Sequence, residues 1–490
     1  MFAFGILVIA FAGTMASIDL GPSIMNGTEA CFTGTYASEE KLFQLTCLRL
    51  LWNEFYTNKH FISLQAGETF DGNCNCGTTG EHGVIDLTGV NGFPGLFATN
   101  DDDKSVTSFD QAPLIQNVHV VNGTTGDGGG FIVQSHQRFF VIDSCTSSGE
   151  IYGSHSGGLC GNFNGFDHGG HIKIVNSHST GQITGWHASG ITGNFLARNY
   201  GTANITNCYT TGDIYGRFAG GITGSYAAEL SGQVFIFRCY STGNMVVGFR
   251  NGGIAGEIPA SQGGFMYIEE CYSTGAIGTG ASGGIAGGLS ATSKGVLHIT
   301  NCYSRGNVSG AHAGGITGRD TGGQHVPNRQ PNGRWPSGDV FISNSYASGE
   351  VLIPQAGGII GSINSKATGT IKVTNSVYNG NADTTLVGSD GISKLAENST
   401  GNSNNLLDSQ GRILDTWSDT VWSATDQFPI LKFEQESLYE ESKQSVTSTV
   451  SPTPVKTASP SPTPTQKQTH ERVELPVQYP RRVVINKEND

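Results

Sequence analysis

The segment NCYSRGNVSGAHAGGITG, residues 301–318, combines a cysteine, a histidine and five glycines, a mixture that could bind a metal, bind phosphate or take part in catalysis. Related segments occur at 207–224 (NCYTTGDIYGRFAGGITG) and 270–287 (ECYSTGAIGTGASGGIAG). Phosphate binding would need a lysine after the glycines and a helix beginning there, and no copy has either. The recurrence of the segment is therefore more typical of a structural repeat than of a single functional site.

Two acidic side chains, Glu150 and Asp213, could supply the chemistry of a polysaccharide-cleaving enzyme. Each follows a cysteine, Cys145 or Cys208, by five residues. If those cysteines are equivalent and two coils apart in a stacked repeat, strand spacing separates the acids by roughly 9 to 10 Å, near the upper limit for an inverting glycosidase. Short polar residues are also common after a turn glycine without any catalytic role. A lyase or glycoside hydrolase is therefore the alternative function, behind a non-catalytic one.

A loop that recurs in three successive repeats carries aromatic and cationic side chains. If the loop faces solvent, these side chains could stack on sugar rings or hold acidic groups. If it folds back, the aromatic rings only cover a corner of the fold, and the sequence leaves both interpretations open. The candidate ligand-binding residues are Trp186, His187, Arg217, Phe218, Phe249 and Arg250.

The cysteines fall into two sets. Those of the repeat should stack at about 4.8 Å, which favours small apolar packing over a metal string or disulfides, because stacking fits the disulfide dihedral poorly. Four cysteines near the N-terminus permit two disulfides in three connectivities, with free thiols as the alternative. The repeat set is Cys145, Cys208, Cys239, Cys271 and Cys302, and the N-terminal set is Cys31, Cys47, Cys74 and Cys76.

No metal site and no cofactor are predicted. The histidines are interpreted as falling at different repeat positions, so they are not expected to stack into a ligand set; single histidines are more often solvated or locally hydrogen-bonded. They are His155, His168, His171, His178, His187, His298 and His312.

These residues belong to a repeat whose anchor position is a cysteine or serine at the start of a CYSTG-like element. Successive anchors are spaced by 32, 31, 31, 32, 31, 43 and 31 residues. A fixed period of this length is typical of a stacked repeat, and the long interval indicates a loop that leaves the stack. The anchors are Cys145, Ser177, Cys208, Cys239, Cys271, Cys302, Ser345 and Ser376.

Apolar residues alternate with polar ones inside each repeat, which predicts strands with one buried face. Apolar residues stand three and five positions before the anchor, as at Ile172 and Ile174, and six and fourteen after it, as at Ile183 and Ile191. The parity changes at the anchor, so the strand must bend there. The predicted fold is all-β: a single-stranded parallel β-helix or solenoid with coils of about 31 residues.

An asparagine precedes the anchor in five repeats. Stacked asparagine amides at a bend can hydrogen-bond from one coil to the next. We therefore predict an asparagine ladder of Asn176, Asn207, Asn301, Asn344 and Asn375.

Seven tetrapeptides, each after a CYSTG-like element, resemble the GLUG repeats of large surface proteins and some secreted peptidases. The resemblance covers about residues 140–380 and implies a right-handed β-helix-like stalk or adhesive array. The zinc motif of the GLUG-bearing peptidases is not matched, since His470-Glu-Arg-Val-Glu474 lacks the second histidine. The tetrapeptides begin at Gly158, Gly190, Gly221, Gly253, Gly284, Gly315 and Gly358.

Composition changes suggest five segments. Residues 1–16 resemble a signal peptide without a positive start, and residues 17–60 would form a cap with an amphipathic helix bearing Leu42, Leu45, Leu48, Leu51 and Phe55. The solenoid is expected over 61–383 and a final coil or cap over 384–440, and the Pro/Ser/Thr-rich tail at 441–490 should be disordered.

The chain carries a formal charge of −13, which argues against nucleic acid and anionic membranes as partners. No segment is long and apolar enough to span a bilayer. The sequence favours a secreted or surface-displayed structural or adhesive solenoid, on a cell or a virion, that binds glycans or proteins multivalently. A homo-oligomer is compatible with this interpretation.

Overall fold

The computed structural model describes residues 62–64, 67, 69–72, 84–99, 112–167, 169–323, 337–363, 367–378, 386–387, 417–425 and 429–435, together with the backbone of short strands near both ends. The described strands belong to one compact unit, Met1–Ser437. In chain order the strands are β1 (Val8–Ala10), β2 (Met15–Ser17), β3 (Ala30–Thr35), β4 (Leu42–Leu48), β5 (Ile62–Leu64), β6 (Thr69–Asp71), β7 (Val84–Asp86), β8 (Phe97–Thr99), β9 (Leu114–Gln116), β10 (His119–Val121), β11 (Phe139–Asp143), β12 (Thr146–Ser147), β13 (His171–Val175), β14 (His178–Ser179), β15 (Thr202–Thr206), β16 (Tyr209–Thr210), β17 (Gln233–Phe237), β18 (Tyr240–Ser241), β19 (Phe265–Glu269), β20 (Tyr272–Ser273), β21 (Val296–Thr300), β22 (Tyr303–Ser304), β23 (Asp339–Ser343), β24 (Tyr346–Ala347), β25 (Ile371–Thr374), β26 (Val377–Tyr378), β27 (Ala396–Glu397), β28 (Thr400–Gly401), β29 (Trp422–Ser423) and β30 (Ile430–Leu431).

The strands stack into two long sheets, one strand per coil in each. From β9 to β27 the odd-numbered strands pair in parallel, and from β10 to β28 the even-numbered strands do the same. Single bridges continue the stacking on the remaining sides of the coil, for example Ile151 to Ile183 and Ile183 to Ile214. The predicted all-β parallel solenoid with coils of about 31 residues is confirmed.

The interior is filled by the apolar positions that alternate along each strand. Ile172 and Ile174, before the anchor, are fully buried, as are Ile183 and Ile191 after it. The burial pattern of a long strand such as β15 alternates strictly, so each coil contributes the same inward positions to one continuous core. This burial is the main favourable term that offsets the entropy of ordering so many coils.

The corner before the anchor has the same backbone conformation in successive coils. The φ angle there is +53° at Asn207, +52° at Arg238 and +49° at Glu270. This left-handed conformation is least costly for glycine and asparagine, which explains the recurrence of asparagine at the bend.

The N-terminal segment differs from the predicted cap. Leu42–Leu48 forms β4, which pairs antiparallel with β3, so the helix predicted from the leucine spacing is wrong for these residues. Strand β3 also pairs antiparallel with β6 of the first coil. Backbone groups at that sheet edge need partners, and a strand supplies them where a helix cannot. The rest of the predicted helix, which includes Leu51 and Phe55, lies outside the described residues.

Several other predictions also fall outside the description. The side chains of Cys31 and Cys47, and all of Cys74 and Cys76, are not among the described residues, so the N-terminal disulfides remain a prediction. The same holds for the 441–490 tail. Residues 1–16 are described only as the backbone of β1 and β2, and the signal peptide remains a prediction.

A C-terminal segment, described over residues 417–425 and 429–435, packs on the outside of the even-numbered sheet. Its strands β29 and β30 pair antiparallel, and residues 432–435 form one helical turn. Trp417 and Trp422 are buried against Tyr303 and Tyr346, which stack face to face at 4.9 Å between ring centroids. The described part of this segment forms a lateral cover on a column of stacked tyrosines, and the final coil or cap predicted over 384–440 stays a prediction.

Candidate binding face

One side of the solenoid consists of positions seven to nine residues after the anchor, directly after an inward-facing residue. Backbone hydrogen bonds from Thr184 N to Ile151 O (3.0 Å), from Tyr215 N to Ile183 O (2.8 Å) and from Val246 N to Ile214 O (3.0 Å) set the register. They place Tyr152, Thr184, Tyr215 and Val246 in a row along the solenoid axis. We call the surface of Tyr152, Thr184, Trp186, Tyr215, Arg217, Val246 and Val247 the exposed face.

This face carries most of the large apolar side chains that the described part of the chain leaves strongly exposed. The exposed fraction of the residue is 65% for Tyr152, 55% for Trp186, 44% for Val246, 53% for Val247, 55% for Leu352 and 60% for Tyr200. Leu352 lies farther along the same row, seven residues after its anchor. Tyr200 alone stands elsewhere in the coil. Scattered exposed apolar residues are ordinary, whereas their concentration on one face indicates an interaction surface.

Trp186 and Arg217 occupy the same position in adjacent coils. The guanidinium carbon of Arg217 lies 5.8 Å from the centroid of the Trp186 ring, within the range of a cation–π interaction. Both side chains are exposed. Of the six residues predicted from this loop, these two face solvent.

The other four residues of the loop turn toward the body of the solenoid. The His187 ring stacks on Phe218 at 4.8 Å, and Phe218 meets Phe249 edge to face at 6.3 Å. Arg250 donates to Oε1 of Glu257 at 2.6 Å and to Oδ2 of Asp320 at 3.3 Å. The loop therefore divides: its outer residues face solvent, and its inner residues cover the corner.

Three histidines share one repeat position, contrary to the interpretation that the histidines scatter. His155, His187 and His312 each follow an anchor by ten residues and have φ between +56° and +64°. The rings of His155 and His187 stack in parallel with centroids 5.0 Å apart. Because each of these histidines follows its anchor by ten residues, the sequence alone contains the signal for this column.

Hydrogen bonds assign the role of Nδ1 in each of the two stacked rings. Nδ2 of Asn194 lies 2.8 Å from Nδ1 of His155, and because an amide nitrogen can only donate, this Nδ1 accepts. Oγ of Ser225 donates to the carbonyl of Phe218, so Nδ1 of His187 donates to Ser225 at 2.9 Å. Burial lowers the pKa of both, to about 4 for His187, where the neighbouring His155 lowers it further. Neutral rings support the stack, and no group of three or more metal-ligating side chains occurs among the described residues.

The acids Glu150 and Asp213 make contacts that stabilise coil stacking. Oε1 of Glu150 accepts from the Thr184 hydroxyl at 2.9 Å, and Oδ1 of Asp213 accepts from the backbone nitrogen of Asn244 at 2.7 Å. The same contact recurs one coil later, where Asn244 Oδ1 accepts from Ala276 N at 3.0 Å. This position therefore supplies an acceptor to the next coil, as expected for a short polar residue after a turn glycine.

The predicted asparagine ladder contains two side-chain hydrogen bonds among its five members. Asn207 donates to Asn176 at 3.2 Å, and Asn375 donates to Asn344 at 3.3 Å. Between Asn207 and Asn301 the corner residues are Arg238 and Glu270, which form an ion pair at 2.8 Å. Charged residues thus replace the amides in the middle of the column.

The repeat cysteines are buried and unbridged. Cys208 N donates to Cys239 Sγ at 3.4 Å, and Cys239 N donates to Cys271 Sγ at 3.4 Å. Burial raises the pKa of the Cys145 thiol to about 12, and it also raises the pKa of the Cys208 and Cys271 thiols. The column is filled by small thiols that accept backbone hydrogen bonds. The raised pKa of Cys145, Cys208 and Cys271 makes these three poor nucleophiles.

Comparison with known proteins gives no relative: no family model, no curated protein and no solved structure matches the chain. Among the described residues, no helix is long and apolar enough to cross a membrane. The function must therefore be argued from the exposed face.

Proposed function

We propose that this protein is an adhesive β-solenoid, displayed outside the cell, that binds glycans or proteins through the exposed face. The observation that carries the proposal is the concentration of strongly exposed apolar side chains on this one side. Tyr152, Trp186, Val246 and Val247 lie there while the interior is closely filled. Apolar surface exposed to water is unfavourable, and a partner that covers this face would remove it from water.

The repeat architecture suits many weak contacts more than one strong site. Equivalent positions recur once per coil, so a ligand with its own repeat can engage several of them together. An extracellular location is part of the proposal, supported by the apolar run Phe2–Ala12 and by five glycosylation sequons.

Binding of the full chain to glycan and protein arrays tests the proposal. The variant Tyr152→Ala/Trp186→Ala should lose most of the binding that the unchanged chain shows. Tyr200→Ala is the matched control, because Tyr200 is equally exposed and lies off this face. Equal loss in the control, or no loss in the double variant, would contradict the proposal.

A further inference from the structure

We propose that the exposed face binds a neutral, extended polysaccharide that runs along the solenoid axis; this inference rests on the proposed function and names its ligand class. Tyr152, Trp186 and Tyr215 present aromatic side chains in three successive coils. From Tyr152 to Val246 the row advances three coils, or about 14 Å at strand spacing. That length accommodates several consecutive sugar rings of an extended chain.

The rows of this face are held close together by glycines. Gly185 lies between Thr184 and Trp186, and Gly216 lies between Tyr215 and Arg217. A Cβ atom on either would lie 2.0 Å from a carbonyl oxygen of the preceding coil, at Gly153 and Gly185 respectively. Only glycine permits this approach, so the outer residues of neighbouring coils form one continuous strip.

The chemistry of the strip suits uncharged sugars. Exposed aromatic rings offer apolar surfaces to the C–H faces of sugar rings. Gln182 is exposed beside the strip, and the carboxylates of Glu150 and Asp213 offer acceptors to sugar hydroxyls. Such a mixture of aromatic surface and hydroxyl-directed polar groups is what a neutral polysaccharide requires.

Charge disfavours an anionic polymer. The strip and its border hold two carboxylates, Glu150 and Asp213, and one cation, Arg217, in a chain of formal charge −13. The guanidinium of Arg217 is engaged over the Trp186 ring. A polyanion would meet net repulsion along this side.

The size of the strip disfavours a protein as its principal ligand. The strip is four coils long and about three residues wide, which corresponds to an area of roughly 200 Å² at strand dimensions. A stable protein interface buries about 800 Å² on each partner. A polymer one chain wide fits a strip of this width.

Affinity electrophoresis and calorimetry on the full chain test the inference, with a neutral β-glucan, xylan and mannan against polygalacturonate and alginate as probes. At least one neutral polymer should bind with little change between low salt and 0.5 M salt, since screening affects only charged ligands. Trp186→Ala and Tyr152→Ala should each weaken that binding at least about fivefold, corresponding to loss of roughly 1 kcal/mol or more. Tyr200→Ala should not.

The outcomes separate this inference from the proposed function. The chain could bind only protein ligands, or polyanions with strong salt dependence, and lose that binding in the double variant Tyr152→Ala/Trp186→Ala. Such a result would keep the adhesive function and overturn the neutral-glycan inference. Neutral-glycan binding that the same variant leaves intact would place the site elsewhere and overturn both. No binding to any probe or array would also overturn both.

Discussion

The hydroxyl of Tyr303 donates a hydrogen bond to Oε2 of Glu434 at 2.7 Å, joining residues 131 positions apart. Tyr346 donates similarly to the carbonyl of Pro429 at 2.6 Å. Both tyrosines belong to a column that stacks from Tyr209 to Tyr346 with nearly parallel rings. The C-terminal segment, through its described residues 417–425 and 429–435, therefore covers one part of this column. Tyr209, nearer the N-terminal coils, remains partly exposed.

Removing Trp422 should release this cover. Trp422 is buried against Tyr303, Tyr346 and Trp417, with ring centroids 6.3, 5.8 and 4.8 Å away. Trp422→Ala should cost about 3–5 kcal/mol at this contact. Hydrogen exchange should accelerate across 417–425 and 429–435 and leave the coils of 140–230, which do not contact this segment, unchanged. Trp186→Ala, at an exposed site, is the control, and unchanged exchange in 417–425 and 429–435 would contradict the prediction.

Acid should destabilise the stack of His155 and His187. The pKa of His187 in the fold is lowered to about 4, against about 6.5 in the unfolded chain, so the unfolded state binds more protons between these values. Stability is therefore complete above about pH 6.5 and falls as the pH drops toward 4, by up to about 3 kcal/mol for this group. Denaturant midpoints measured from pH 4 to 8 check the slope.

His187→Phe should reduce that slope, because Phe218 already occupies the same position one coil later. The charged groups that the fold brings to this stack include Asp127, which raises the pKa of His155 and opposes part of the burial effect. An unchanged pH dependence in His187→Phe would assign the acid sensitivity to other groups.

Serine should replace cysteine in the buried column with little loss. Ser177 accepts from Cys145 N at 3.0 Å and donates to Val175 O, the two contacts that a thiol makes at other anchors. We expect Cys239→Ser to change the free energy of unfolding by about 1 kcal/mol or less. Cys239→Ala should cost about 1–3 kcal/mol, because it leaves the Cys208 N–H without its acceptor. Equal losses in urea unfolding would contradict this account.

The corner conformation predicts an unusual order of substitutions at Asn207. Its φ of +53° favours asparagine and glycine over alanine. Asn207→Gly should therefore be more stable than Asn207→Ala by about 1 kcal/mol, although both lose the hydrogen bond to Asn176. Thermal or urea unfolding of the pair measures the difference. Alanine at least as stable as glycine would show that the corner relaxes out of the left-handed region.

Much of the fold follows from one-dimensional patterns. The 31-residue period and the change of parity at the anchor predict the coil and its buried positions, such as Ile174 and Ile183, because strand periodicity depends only on neighbouring residues. The helical spacing of the leucines at 42–48 predicts a helix, whereas the open edge of the first coil favours a strand there. That choice depends on a partner distant in sequence.

The candidate face was only partly predictable. The sequence names Trp186 and Arg217 as candidate ligand-binding residues but leaves open whether their loop faces solvent. In the structure these two residues do, whereas His187 and Phe218 from the same loop pack against neighbouring coils. Tyr152 and Val246 are not among the predicted residues, although each directly follows the inward position six residues after its anchor. Val247 has no such parity signal, because it stands where the preceding coils have a glycine, as at Gly216.

The sequence by itself determined the repeat, the two-sided pattern of its strands and the identity of the corner residues, since local sterics and alternation set these. The tertiary structure decided which members of each column meet and which side chains face water. Stacking brings together residues about 31 positions apart, so the pairing of His155 with His187 arises only when the coils align. The covering of Tyr303 by Trp422 likewise depends on where the chain returns after its last coil, and the period of the repeat carries no information about that return.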